Sequence, residues 1–464
     1  MKFDLVISGG TLVTADGTRQ EDLGIRDGQI AGMGKDLSGI EKTAAEGCYI
    51  LPGAVDPHVH LNMPAGETRS SDSWESGTIA AVCGGTTTVI DFVEPEEGQS
   101  LLEAWQQRRE EAEAGSRIDF GLHMTVTNDR PETLEEIPRA LEAGCASFKL
   151  YTTYEGFQLR DEQLLRVMSA VQQAGGMVLV HSENDAMVAY AARQTAAAGV
   201  LGPAGHPRSR PPESEGEAVE RVLCLAGLAG VPVYIVHIST SYGAAALQRA
   251  RERGNTAWGE TCPQYLLLDE QAYRQPDFEG AKYVCSPPLR GKDHQAALWA
   301  YLQQGALHSV GTDHCPFFFQ GQKDLGRDDF RRIPGGLPGI QARLALIYSY
   351  GAAQGRFSLE DWVSLCCTGP AKIFGLYPRK GSLELGADAD VVIFDPDHKQ
   401  VISREMLSEN VDYTPYEGVE LAGSVRSVYV GGRLLAERGR WLSEPGRGSF
   451  LPRKLTWRHY AHPS

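Results

Sequence analysis

Between residues 53 and 316 the chain repeats one alternation eight times: an apolar stretch rich in β-branched residues, a loop, then a helical segment. The strand-like stretches are GAVDPHVHL (53–61), GGTTTVIDFV (84–93), DFGLHMTV (119–126) and CASFKLY (145–151). They continue with MVLVHSE (177–183), VPVYIVHIS (231–239), TAWGETC (256–262) and LHSVGTDHCP (307–316). Segments such as SLLEAWQQRREEAEAG, DEQLLRVMSAVQQAGG and SEGEAVERVLCLAGLAG lie between them, charged on one face and apolar on the other. Eight units of this kind predict an α/β fold, a (β/α)8 TIM barrel spanning residues 53–375. A doubly wound open sheet is the competitor, but no G-x-G-x-x-G follows the first strand.

Both ends of the chain have a different texture. DLVISGGTLVT and EDLGIRDGQIAGMG near the start, and ADADVVIFDPD and SVRSVYVGGRLL near the end, alternate like strands joined by tight turns. They predict one small β-sandwich domain assembled from residues 1–52 and 376–440, with 441–464 as a C-terminal tail.

The placement of polar residues in the barrel is informative. His58 and His60, Lys149, His181, His237 and Asp313 all fall toward the C-terminal ends of strand candidates, the rim where barrel active sites lie. His58 and His60 stand at i and i+2, so both imidazoles point to the same side of a strand. Such a pair suits a divalent ion such as zinc. A lone histidine ending an apolar run is usually a hydrogen-bonded core residue. His181 and His237 at equivalent strand ends, beside an H-x-H, favour ligation instead. Asp313 leaves a buried strand and is placed either to cap a helix or, beside metal, to bind an ion and accept a proton from attacking water.

Lys149 in SFKLY raises a separate question, because a charged amine is costly in a buried strand. It must reach water, pair with an acid or be chemically changed. Burial lowers an amine's pKa toward the neutral form. A neutral amine can take up carbon dioxide as a carbamate, an anion able to bridge two metals. Four histidines and one aspartate supply enough ligands for two ions if Lys149 fills that place.

Composition narrows the setting. A formal charge of −16 argues against general affinity for nucleic acid or an anionic membrane surface. Nine cysteines with no C-x-x-C pair read as reduced thiols. The start, MKFDLVISGG, has an acid at its fourth position and no long apolar run, so no secretion signal is expected, nor any membrane span. A cytoplasmic enzyme is the expectation.

Taken in order, DPHVHLNMP, GTIAAVCGGTTTVIDFVEPE, SFKLYTTYEG, VHSEN, VHISTSYGAAAL, CSPPLR, VGTDHCPF and the late GRGSFLPRKL resemble the cyclic amidohydrolases, and within them the dihydropyrimidinase and hydantoinase family. The resemblance covers nearly the whole chain. It implies a binuclear site, usually zinc. One ion would be held by His58, His60 and Asp313, the other by His181 and His237, with carboxylated Lys149 bridging both. It implies hydrolysis of a cyclic ureide or imide, with Asp313 moving the proton and Tyr154 stabilising the oxyanion. Main-chain groups of Ser286 and of a later asparagine position, here Gly335, would read the ring's amide edge. Met63, Phe157 and Phe317 to Phe319 are candidates for contact with a ring substituent. A homo-oligomer, commonly a tetramer, is implied as well.

Two departures bear on the subfamily. Where relatives often show Ile-Pro-Asn-Gly, this chain reads Ile333-Pro334-Gly335-Gly336, which a main-chain contact tolerates. Asn62 after the H-x-H is reminiscent of allantoinases, whereas Met63-Pro64 is hydantoinase-like. Dihydroorotases typically carry arginine at the place of Asn62. Allantoinase is therefore the alternative among enzymes. A non-catalytic scaffold homologue is disfavoured because all six ligand positions are filled.

Overall fold

The structure is a computed structural model that describes residues 2–442, 446 and 448–455. All eight expected barrel strands form: Ala54–Val59, Thr86–Val93, Asp119–Thr125, Ser147–Tyr151, Met177–His181, Val233–Ile235, Ala257–Thr261 and Ser309–Val310. They pair in chain order as one parallel sheet. A bridge between Val59 and His314, with the His60 N–H donating to His314 O at 2.9 Å, brings the eighth strand back to the first. Every residue of Thr86–Val93 and of Met177–His181 is buried, because helices cover one face and the barrel interior fills the other.

The intervening helices follow local rules. Leu101–Gly115 begins where Ser100 accepts from the N–H groups of Leu102 and Glu103. Asp161–Ala174 and Pro212–Ala229 stop at Gly175 (φ 86°) and Gly230 (φ 68°), left-handed positions that glycine reaches without steric cost. Parallel register then sets the strand ends level: Tyr151 lies opposite His181, and Val59 opposite Asp91. Residues far apart in sequence thereby share one rim.

The β domain draws on both ends of the chain. One sheet has four strands, with Phe3–Ser8 between Asp22–Arg26 and Gly39–Ala44. In the seven-stranded second sheet, Val391–Asp395 from the late segment lies between Ser424–Val430 and the early strand Tyr49–Pro52. Leu5, Ile7, Ile25 and Ile50 accordingly share a core with Leu383, Val391 and Ile393. Of the expected tail, residues 443–445, 447 and 456–464 lie outside the described residues. The described part runs beside the start of the third barrel strand, where Leu451 N–H donates to Phe120 O at 2.8 Å.

Lys380 ties the two parts together. Its buried ammonium lies 2.6 Å from Asp119 of the barrel and 3.0 and 2.8 Å from Asp388 and Asp390 of the β domain. Removing the cation leaves the buried Asp390 carboxylate facing the half-buried Asp119 and Asp388. Lys380→Met is therefore expected to destabilise the protein by about 3–5 kcal/mol in denaturant unfolding, with metal content of the folded fraction unchanged.

Candidate active site

His58 ends up inside the barrel mouth because it alternates with outward residues on Ala54–Val59, and His60 follows on the same side. The Nε2 atoms of both lie 3.2 Å from Asp313 Oδ1. These three residues form a group able to hold a metal ion. Across the mouth, His181 Nδ1 faces His237 Nε2 at 3.0 Å. The two clusters are neighbours, with the His58 and His237 rings 5.3 Å apart.

Lys149 lies between them in Ser147–Tyr151 and is 1% exposed. Its Nζ sits 4.8 Å from the Phe92 ring and 5.0 Å from the Tyr151 ring. No hydrogen bond or ion pair reaches that atom among the described residues, and burial pulls the amine down to about 8. Of the three explanations open from sequence, direct pairing with an acid fails, and the amine instead faces the cavity at the barrel mouth.

The backbone is strained where the chemistry is expected. Tyr154 (φ 78°), His237 (φ 40°) and Asp313 (φ 53°) all occupy left-handed conformations that side-chain-bearing residues rarely adopt. Each sits just past a barrel strand, where the chain must turn sharply to aim a side chain back over the mouth.

The donor set fits divalent ions. Burial keeps His58, His181 and His237 well toward the neutral imidazole, the form that ligates. Second partners fix which nitrogen is bare. His58 Nδ1 is 2.7 Å from Glu260 Oε1, leaving Nε2 buried and without a hydrogen bond. His181 Nε2 is 2.8 Å from Glu183 Oε2, leaving Nδ1 turned to the mouth. Burial would raise Asp313, but the neighbouring His58 and His60 outweigh it and hold the carboxyl below its usual range.

Glu260, Glu183 and Arg210 were not singled out from sequence. Burial pushes Glu260 up to about 8, and it also meets Tyr234 OH at 2.9 Å and the His237 N–H at 3.1 Å. Burial alone would raise Glu183 too, yet the Arg210 guanidinium and His181 hold it at about 2. Glu260 stands at the end of the seventh strand, the same placement that marked the histidines, so that rule could have found it.

A cavity of about 810 Å³ opens over the rim, and His60, Lys149, His181, His237 and Asp313 all reach its wall, as do Tyr154, Ser286, Gly335, Met63 and Phe157. Tyr154 packs 4.9 Å from the His181 ring with its hydroxyl toward Ser286 and Arg210; burial pushes the phenol up to about 12, so it is a hydrogen-bond donor. Gly335 lies against Ser286, whose Oγ would be 3.3 Å from an added Cβ, and no positive φ demands glycine there. Gly336 is tighter, since a Cβ would meet Cys315 O at 2.3 Å.

Two expectations change. Phe317 to Phe319 do not line this cavity: Phe317 is fully buried beneath Lys323, and Phe319 packs on Phe278. Asn62 turns its side chain away to Glu111, which removes the residue type there as an argument for allantoinase.

Comparison with known proteins gives a consistent picture. The model of the amidohydrolase family matches residues 49–435. A D-hydantoinase of Geobacillus stearothermophilus is 44% identical over 452 residues, covering 97% of this chain and 96% of that one. A D-phenylhydantoinase of Escherichia coli O1:K1 is 41% identical over 97% of this chain and 98% of its own. The crystal structure of a dihydropyrimidinase from Brevibacillus agri superposes with a TM-score of 0.95 at 42% identity, covering 98% of this chain and 99% of that one.

Proposed function

The chain belongs to the amidohydrolase family, and we propose that it opens the cyclic amide bond of dihydropyrimidines and 5-substituted hydantoins, giving N-carbamoyl amino acids. The observation that carries this is the convergence of His58, His60, Asp313, His181 and His237 around the buried amine of Lys149, which has no hydrogen bond or ion pair among the described residues.

We assign His58, His60 and Asp313 to one divalent ion, and His181 and His237 to a second. Zinc suits this histidine and carboxylate set. Lys149 would join the two as a carbamate: its neutral Nζ adds to the carbon of carbon dioxide and releases a proton. Ions held there lower the pKa of water and polarise a carbonyl oxygen.

The chain's own residues supply the rest. Asp313 accepts the proton of the attacking water and delivers it to the leaving ring nitrogen. Tyr154 donates its hydroxyl to the oxygen that gains charge as the ring carbon becomes tetrahedral. The main chain of Ser286 and Gly335 meets the ring's alternating N–H and C=O groups, so recognition of the ureide needs no particular side chain at position 335. Met63 and Phe157 form the apolar wall facing a substituent.

We take the D-enantiomer as the preferred one, in line with the names of the relatives at 41–44% identity, and the assembly as a homotetramer. No described helix is long and apolar enough to cross a membrane.

Dihydrouracil, both enantiomers of 5-phenylhydantoin, and allantoin, offered side by side to enzyme of measured metal content, test the reading. Turnover of dihydrouracil or the D-hydantoin at least ~100-fold above allantoin is expected, a ratio of about 2.7 kcal/mol. A fully metallated sample that opens none of the first three rings contradicts it.

A further inference from the structure

The segment after the eighth barrel strand carries Lys323, fully buried in the short turn Lys323–Gly326. Its Nζ donates to three main-chain carbonyls: Val284 at 2.7 Å, Pro334 at 2.8 Å and Gly336 at 2.8 Å. Three acceptors match the three N–H bonds of an ammonium. No carboxylate lies within ion-pair distance among the described residues. The Phe317 ring is 5.8 Å away, and the thiols of Cys285 and Cys315 and the His206 imidazole are titratable groups near the amine. Burial pulls it down to about 7. A lysine kept in so costly a place with only carbonyls for company calls for a reason.

The three carbonyls belong to the two segments that form one wall of the cavity. Val284 precedes Ser286 by two residues, and Pro334 and Gly336 flank Gly335. The segments touch where the Gly336 N–H donates to Val284 O at 3.0 Å. Lys323 closes the same junction from behind, out of reach of any ligand in the cavity. Neither segment belongs to the barrel sheet, so no ladder of strand hydrogen bonds fixes the distance between them.

We propose that Lys323 is a positioning residue: by tying Val284, Pro334 and Gly336 to one ammonium, it holds the main chain of Ser286 and Gly335 at the spacing that reads a ring's amide edge. This rests on the cyclic-ureide reading above, because the spacing matters to turnover only if such an edge docks there. Asp313 and the histidines are held by other contacts, and Tyr154, whose hydroxyl also meets Ser286, is held as well by the His181 ring and Arg210. Loss of the clamp therefore weakens binding of ground state and transition state alike, which appears in KM rather than kcat.

The test compares Lys323→Met with wild type on dihydrouracil and D-5-phenylhydantoin, both enzymes metal-loaded. The expected result is a KM raised roughly 10–100-fold, kcat within about 3-fold of wild type, and the same metal content. Lys323→Gln keeps two N–H donors and is expected to fall between the two. A KM that does not move, or a kcat that falls while KM stays, overturns the proposal. If Lys323→Met does not fold, Lys323→Gln decides by the same criterion, and failure of both to fold also counts against a role confined to the cavity wall. Wild type that opens no cyclic ureide defeats the functional reading itself, whereas normal wild-type turnover with an unmoved KM in Lys323→Met defeats this inference alone.

Discussion

Lys149→Ala is expected to lower turnover of a cyclic ureide by roughly 10³-fold or more, about 4 kcal/mol of barrier, and to leave the protein short of its full metal content. The size follows from position. Lys149 is the buried group between the His58–His60–Asp313 cluster and the His181–His237 pair, and its amine, set against the Phe92 and Tyr151 rings, has no hydrogen bond or ion pair among the described residues. Without a bridging carbamate, five remaining ligands must hold two like charges in a small space. Formate, acetate or propionate, supplied at high concentration, should restore part of the metal content and part of the activity, because a free carboxylate can enter the space the side chain vacates. Lys149→Arg is the informative companion. A guanidinium stays protonated and cannot add carbon dioxide, so the loss should be as large and carboxylates should not rescue it. A fully active Lys149→Ala enzyme would remove the lysine from the mechanism.

Asp313→Asn should lower kcat by roughly 10²–10⁴-fold with KM changed far less. Asparagine keeps the shape that meets His58 and His60, and because Asp313 is also an assigned ion ligand the two enzymes are compared at equal measured metal content; the amide cannot take a proton from water and return it to a leaving nitrogen. The left-handed backbone at this position (φ 53°) is one that asparagine accepts as readily as aspartate, which keeps the comparison free of added strain. If kcat stays within tenfold of wild type, the proton passes through some other group. The prediction concerns the chemical step, so it separates from Lys323→Met, where KM moves and kcat holds.

Much of this architecture could be read directly from the residues. The barrel strands stand out because strands covered on both faces must be apolar throughout, and a polar residue at their ends is then conspicuous. That is why His58, His60, Lys149, His181, His237 and Asp313 emerged together. Glu260 obeys the same placement rule, yet a single glutamate in TAWGETC resembles any solvent-facing strand residue until the fold shows it under His58. Glu183 and Arg210 are less legible still, since their pairing spans a loop and two helical segments. Lys323 carries no periodic signal at all: its three partners are carbonyls, which every residue has. Aromatic residues in loops mislead for a related reason. The run from Phe317 to Phe319 gives no direction, and packing turned Phe317 inward and Phe319 toward Phe278. Position 335 shows the opposite case, where glycine stands in place of the relatives' asparagine, a change that a main-chain contact tolerates. Its ordinary backbone and its place against Ser286 make the main chain, rather than a side-chain amide, the feature available to a ring.

On this reading, two ions and a carbon-dioxide adduct of Lys149 together make the rim catalytic. Metal-free protein titrated with zinc, with and without carbon dioxide, and assayed on D-5-phenylhydantoin and dihydrouracil, tests it most directly. Activity is expected to climb to a plateau at two ions per chain and to depend on carbon dioxide during loading. Full activity from chelated protein loaded without carbon dioxide, or a chain holding both ions that opens neither ring, would contradict it.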